Sequence, residues 1–365
     1  MKGKELILNT INRQNRSATA FWVGHPTDEA KEKYYAHFGI AFDEESEEET
    51  RRREASTVLA NRSGKADILF SEKVQSDVVW LSPEVDLRGW KHPEGKPMWD
   101  CLKDNERHSL SQAGRFAETT DVAEVEAFDW PNPDYLDFAP VLDDVKYAHS
   151  RGIAIFGGMW CPFFHVACDF FGMENYFMKL YTDPKVVHAV TAHIVEFYLE
   201  ANRRCLEAMG GYLTAGFFGN DLGSQLNTLV SPDKLDEFVF SYGQKIVDQV
   251  KGAGLKVAMH SCGAISRIIP RMIDMGIDIL HPLQAMAVGM DAESLKQYKN
   301  DIIFMGGIDT QSLLPFGSPQ MVRDQVRRVK DILGPGLIVS PSHEALLPNV
   351  PVENVMAMSE AAKEA

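Results

Sequence analysis

The amino-acid sequence predicts an α/β chain folded as a (β/α)8 TIM barrel, with an N-terminal helical extension and a long excursion after strand 2. Three observations predict it. Eight short apolar runs recur along the chain. Stretches of helical periodicity separate most of them, the pattern of a parallel sheet covered on both faces. No GxGxxG follows any run, so an open dinucleotide-binding sheet lacks its main signal.

The elements follow in order. "MKGKELILNTINRQNRSA" has the spacing of an amphipathic helix, and "TAFWVGH" (19–25) supplies the first strand. "FDEESEEETRRREA" (42–55) reads as a charged, solvated helix with Glu–Arg pairs four apart. "SDVVWLS" (76–82) is the second strand, and residues 83–133, rich in Trp, Pro and acids, form the excursion. A loop of that length on the C-terminal face is expected to wall a pocket. The remaining strands are "GIAIFGG" (152–158), "YLTAGFFG" (212–219), "LKVAMHSC" (255–262), "IDILHPL" (277–283), "DIIFMGGI" (301–308) and "GLIVSPS" (336–342). Between them, Ser231–Pro232 and Ser318–Pro319 open helices as N-cap and first helical residue, and Gly252, Gly254 and Gly334 mark helix ends. With no repeat or linker, residues 1–365 read as a single domain.

Composition narrows the functional classes. Hydrophobic residues make up 45% of the chain and charged ones 24%, ample for a core. The balance of 37 basic against 52 acidic residues, a net charge of −15, argues against nucleic acid and against anionic membranes. Five cysteines, an odd number without framework spacing, point to a reducing compartment. No segment reaches the roughly 18 apolar residues of a membrane span or carries a signal-peptide pattern, so the expected location is cytoplasmic.

In a barrel of this kind chemistry sits where strands end. Those ends collect Trp22 and His25; Trp160, Cys161 and Phe164; Asn220 and Asp221; His260 and Cys262; His281 and Gln284; Asp309; and His343 with Glu344. His260 and Cys262 are the sharpest pair. Two apart on an extended chain, their side chains project to one side and can meet one ion, and both suit zinc. A buried cysteine beside a hydrogen-bonded histidine is the plainer alternative. "SPSHEALLPNVP" offers a third donor in His343 or Glu344, which point apart on a strand. Three protein donors leave the fourth position of a catalytic zinc open. Asn220 and Asp221 suit either function or a tight turn. Trp160, Phe163 and Phe164 suit either a core or an apolar wall for a flat ligand. Cys161 and Cys168 read as buried hydrophobes. GxSxG, P-loop and HExxH motifs are absent.

"FDWPNPDY", "CPFFHVACDFFGMENYFMKLYTDPKVV", "GNDLGSQLNTLVSP", "HSCGAI", "GGIDTQSLLPFGSP" and "SPSHEALLPNVPVENV" together resemble the uroporphyrinogen decarboxylase superfamily, which includes corrinoid-dependent methyltransferases. The resemblance runs nearly end to end and implies a TIM barrel. The decarboxylases carry an arginine-bearing segment after the first strand for the substrate's carboxylates, and here "FWVGHPTDEA" stands in its place. The methyltransferase branch looks closer, because its members bind zinc through H-x-C and a later cysteine. His260 and Cys262 match that pattern. The later cysteine aligns with Glu344 on the anchor "LLPNVP", or with His343 on "SPSH"; the resemblance favours Glu344, with His343 beside it as proton donor.

The resemblance implies methyl transfer between a small methylated donor, such as a methoxylated aromatic, and a corrinoid protein. The catalytic acid would be His343 or Asp221. Trp22, His25, Trp160, Phe164, Asn220, His281 and Asp309 would line the donor's pocket. No D-x-H-x-x-G cobalamin signature is present, so the cobalamin would arrive on a partner protein. A methylcobamide:thiol methyltransferase, a metal-free decarboxylase-like enzyme and a non-catalytic binding barrel are the alternatives.

Overall fold

The computed structural model describes residues 3–14, 19–42, 64–83, 89–102 and 109–364. The charged helix expected over 42–55 falls, from residue 43 on, outside them. Eight strands form one parallel sheet: β1 (Ala20–Phe21), β2 (Val78–Leu81), β3 (Ala154–Gly157), β4 (Ala215–Gly219), β5 (Lys256–His260), β6 (Ile279–His281), β7 (Ile303–Ile308) and β8 (Leu337–Pro341). Every expected strand forms, each shorter than its apolar run. Neighbours follow chain order from β2 to β8, and β8 returns to β1. The ring closes where Asp77 N–H donates to Phe21 O at 2.7 Å, beside the Asp77 carboxylate that accepts from Phe21 N at 2.9 Å. This is a (β/α)8 TIM barrel.

Strand alternation sets what fills the barrel. Ala20 and Trp22, Ala154 and Phe156, Ala215 and Phe217, Ile303 and Met305 are pairs two apart that share one interior cluster. In the first three pairs a small residue lies below an aromatic one, which lets the layers interdigitate. The helix Gly3–Ile11 closes the lower end, with Leu6, Ile7 and Ile11 packed into that cluster. Asp77 fixes it: its Oδ1 accepts from Gly3 N at 2.8 Å, and its Oδ2 pairs with Lys363 of the C-terminal helix. The amphipathic N-terminal stretch is therefore a plug, and the chemistry is left to the upper end.

Helices cover the outside. In Pro319–Leu333 Ser318 Oγ accepts from Met321 N at 3.3 Å, so the cap expected from sequence forms. Ser231 precedes Pro232–Leu235 with extended backbone but makes no side-chain cap bond, and that helix passes through a π-turn at Asp236–Phe240 before Ser241–Gly252. The described part of the excursion packs Trp99 and Phe116 on Phe170, and Trp90 on Phe197, against helices Phe163–Phe171 and Pro184–Met209.

Candidate metal centre at the barrel mouth

His260 ends β5 and His281 ends β6, and the parallel register sets them side by side. Ala258 and Ile279, two residues earlier, face the barrel interior, so alternation turns both imidazoles inward as well. Their Nδ1 atoms lie 3.0 Å apart. Both rings are buried, and Trp22, Phe217 and Trp160 form the floor and wall around them. Trp22 meets His281 at 5.0 Å between centroids, Phe217 meets His281 at 5.7 Å, and Trp160 meets His260 at 5.5 Å. Trp80, inward on β2 by the same alternation, lies 4.8 Å from Trp160.

Two loops bring the remaining donors. After β4 the chain runs along the end of β5, with Asn220 N donating to His260 O at 3.0 Å and Gly223 N to Cys262 O at 3.2 Å. The contact is so close that a Cβ on Gly263, whose φ is +94°, would lie 2.2 Å from Gly223 backbone. Only glycine fits there. The approach seats Asp221 Oδ1 at 3.0 Å from His260 Nε2 and lets it accept from Cys262 N at 2.9 Å, while Cys262 Sγ lies 3.4 Å from the same Nε2. After β8, Glu344 O accepts from His25 N at 2.8 Å, and Gly24, with φ +86°, leaves room for that backbone. Glu344 Oε2 lies 3.4 Å from His260 Nδ1. His343 Nδ1 accepts from Ala345 N at 3.1 Å, and the ring hydrogen-bonds Cys262.

The electrostatics follow from three acidic groups around one imidazole. Burial opposes charge on His260, but Glu344, Cys262 and Asp221 outweigh it and push the ring well above the usual histidine range. Burial would also lift Asp221; His260 and then His165 outweigh it and hold the carboxyl far below its ordinary range. His343 is raised to about 9, its burial overcome by the Cys262 hydrogen bond and the charges of Glu344 and Cys262. Burial, then the neighbouring His260 and His343, drives His281 well below its usual value, so it stays neutral.

This donor set fits a divalent cation. Asp221, His260 and Cys262 present ligand atoms within 4.8 Å of one another, and so do His260, His281 and Glu344. Glu344 Oε2 and His281 Nε2 are buried without a hydrogen-bond partner among the described residues. Buried polar atoms left over in this way mark a place that a ligand completes. Imidazole, thiol and carboxylate together match zinc better than a hard ion such as calcium.

The other sequence candidates divide. Trp22, Trp160, His281, Asp221, His343 and Glu344 gather around His260. His25 turns away: its Nε2 lies 3.5 Å from Lys31 Nζ, in a buried cluster where Asp67 pairs with Lys31 at 3.0 Å and accepts from Tyr35 at 2.7 Å. The His25 ring still meets Trp80 at 5.5 Å between centroids. Phe164 is buried against Tyr176, and its N–H donates to Asn220 Oδ1 at 2.8 Å, so these two join the β3 and β4 loops. Asp309 accepts from the backbone N of Gln311, Ser312 and Leu313, which makes it the cap of its own turn. Gln284 Oε1 accepts from Gly263 N at 2.7 Å and steadies the Cys262 loop. Three residues escaped the sequence reading: His165, Trp80 and Phe217. His165 Nε2 accepts from Asp221 N at 2.9 Å, signalled only by a polar residue in "CPFFHVACDFF". Trp80 was legible from the parity of β2.

A barrel whose C-terminal mouth gathers histidine, cysteine and carboxylate side chains defines the class: a TIM-barrel protein with a candidate metal centre. Residues 112–365 match the uroporphyrinogen decarboxylase (URO-D) family, and the chain belongs to it. It is 25% identical over 227 residues, 61% of this chain and 56% of the relative, to a methylated-thiol–coenzyme M methyltransferase of Methanosarcina mazei. To a uroporphyrinogen decarboxylase of Prochlorococcus marinus it is 28% identical over 186 residues, 50% of this chain and 49% of the relative. The chain thus spans about half the length of the curated relatives it matches. A solved structure described as a methyltransferase from Methanosarcina mazei superposes with a TM-score of 0.65 over 98% of this chain and 97% of that one, at 16% identity, a likeness of fold.

Proposed function

We propose that this protein is a zinc-dependent methyltransferase that moves a methyl group from a small methylated donor, such as a methoxylated aromatic, to the cobalt(I) of a cobamide on a partner protein. The observation that carries the reading is the convergence of His260, Cys262 and two carboxylates, Asp221 and Glu344, at an aromatic-walled mouth. Zinc, when bound, supplies a Lewis acid that stabilises negative charge on the demethylated atom. Trp80 and Trp160, half-buried, offer a planar donor its apolar contacts, with the buried Trp22 and Phe217 packed beneath them and the His25 ring against Trp80. Phe164, Asn220 and Asp309 shape the pocket by fixing the loops that carry those groups. The C–O bond breaks with its electron pair on oxygen, the methyl passes to cobalt, and His343, which holds its proton up to about pH 9, delivers the proton that the leaving oxygen takes up, whereas the Asp221 carboxyl is ionised and has none to give. The mouth suits a docking protein. Leu226, Met286, Val288, Phe316 and Leu347 are exposed apolar side chains on the segments that follow β4, β6, β7 and β8, Phe316 at the end of the short helix Leu313–Phe316.

The test incubates zinc-replete protein with cob(I)alamin and a panel of methoxyarenes and follows methylcobalamin optically. Formation of the Co–CH3 spectrum with at least one donor is expected; no transfer with any donor, alongside saturable ligand binding, favours a non-catalytic barrel. A second reading, methyl passing from methylcobamide to a thiol, is favoured by the methylated-thiol relative. Its arm supplies methylcobalamin and small thiols and reads loss of the Co–CH3 band. In the described residues no helix is long and apolar enough to cross a membrane.

A further inference from the structure

The two ring nitrogens of His260 face different company. Nε2 has Asp221 Oδ1 at 3.0 Å and Cys262 Sγ at 3.4 Å. Nδ1 has His281 Nδ1 at 3.0 Å and Glu344 Oε2 at 3.4 Å. Each nitrogen of a neutral imidazole either offers a lone pair or carries a proton, and never both. An ion on one nitrogen therefore leaves the other to donate. Among the described residues the thiol in reach, Cys262, lies on the Nε2 side, and a thiol with an imidazole is what selects zinc over harder ions. The ligand atoms of Asp221, His260 and Cys262 already lie within 4.8 Å of one another.

The Nδ1 side has the complementary equipment. Glu344 Oε2 is buried and without a hydrogen-bond partner among the described residues, so it is an acceptor in want of a proton. Its backbone is locked by His25 N at 2.8 Å, which keeps the carboxylate behind His260. Ligating histidines commonly donate their second ring N–H to such a carboxylate, which fixes tautomer and ring orientation.

Resting on the zinc reading above, we infer that Asp221, His260 Nε2 and Cys262 hold the ion, and that Glu344 is a positioning residue that accepts the Nδ1–H of His260, with His281 sharing that proton. The sequence resemblance favours Glu344 as third ligand; the geometry points to Asp221. The loop after β4 then belongs to the metal site, while the loop after β8 supports it from behind.

The experiment titrates cobalt(II) into chelator-treated protein and compares wild type with Glu344→Gln, Glu344→Asp and Asp221→Asn. Near-ultraviolet circular dichroism checks that each variant, isosteric or shortened by one methylene, keeps the fold. Glu344→Gln and Glu344→Asp should each bind one cobalt per chain with the wild-type d–d bands and sulfur-to-cobalt charge-transfer band, at an affinity weakened about 10–100-fold. Asp221→Asn should shift the d–d bands and weaken binding further. Shifted d–d bands in Glu344→Gln together with wild-type bands in Asp221→Asn would overturn the assignment while leaving the metal reading intact. Wild type that takes up no cobalt and no zinc sinks both.

Discussion

Asp221 Oδ1 bridges two groups at once, accepting from Cys262 N at 2.9 Å and lying 3.0 Å from His260 Nε2. The carboxylate thereby ties the loop after β4 to both donors of β5, and the loops meet backbone to backbone at Gly223 and Gly263. Gly263→Ala places a Cβ 2.2 Å from Gly223 carbonyl atoms in a backbone with φ +94°. The left-handed conformation alone costs about 1–2 kcal/mol, and relief of the clash must push Cys262 away from Asp221. Urea unfolding should show at least that loss, and cobalt titration of the folded variant a weakened sulfur charge-transfer band. A variant with wild-type stability would contradict the contact.

Trp160 meets both His260 and Trp80, at 5.5 and 4.8 Å between centroids, and it is only partly buried. Trp160→Ala removes a stacking surface worth about 0.5–1.5 kcal/mol beyond its area. The Kd of a bound methoxyarene, read by fluorescence quenching, should rise roughly 3–10-fold. An unchanged Kd would place the donor elsewhere.

Much of this site was legible because strands alternate. His260, Cys262, His281 and Trp22 stand at strand ends on the inward parity, and nothing but register was needed to set them together. The loops resisted the same reading. Asp309 and Asp221 both look like acids after a strand. Yet one caps its own turn through three backbone N–H groups, while the other reaches across to β5. Which of these happens depends on contacts between loops, and no period in the sequence encodes those. His25 shows the same limit: its strand-end position points to the mouth, while its Nε2 lies beside the buried Lys31–Asp67 pair.

Metal removal offers a stability test independent of turnover. A ligand that binds only the folded state stabilises it by mass action, by about 2.7 kcal/mol at one hundred times its Kd. Zinc added to chelator-treated protein should therefore raise Tm measurably by calorimetry. Cys262→Ser and His260→Ala should abolish the rise. A rise that survives in both variants would mean that zinc binds away from the mouth.

The His25 cluster makes a pH prediction with a definite sign. Burial first, then the Lys31 charge, lowers His25 to about 3, with Asp67 opposing only in part. In the unfolded chain a histidine titrates near pH 6.5. Between those values the unfolded state binds a proton that the folded state refuses, so unfolding free energy rises with pH. The contribution is complete above about pH 6.5 and is lost on acidification, at roughly 1.4 kcal/mol per pH unit. His25→Gln removes this titration while the Lys31–Asp67 pair remains. Urea unfolding between about pH 6.5 and pH 4.5 should give a steeper acid loss for wild type than for the variant, by roughly that slope. Parallel curves would mean that His25 accepts its proton in the fold and that Lys31 does not keep it neutral.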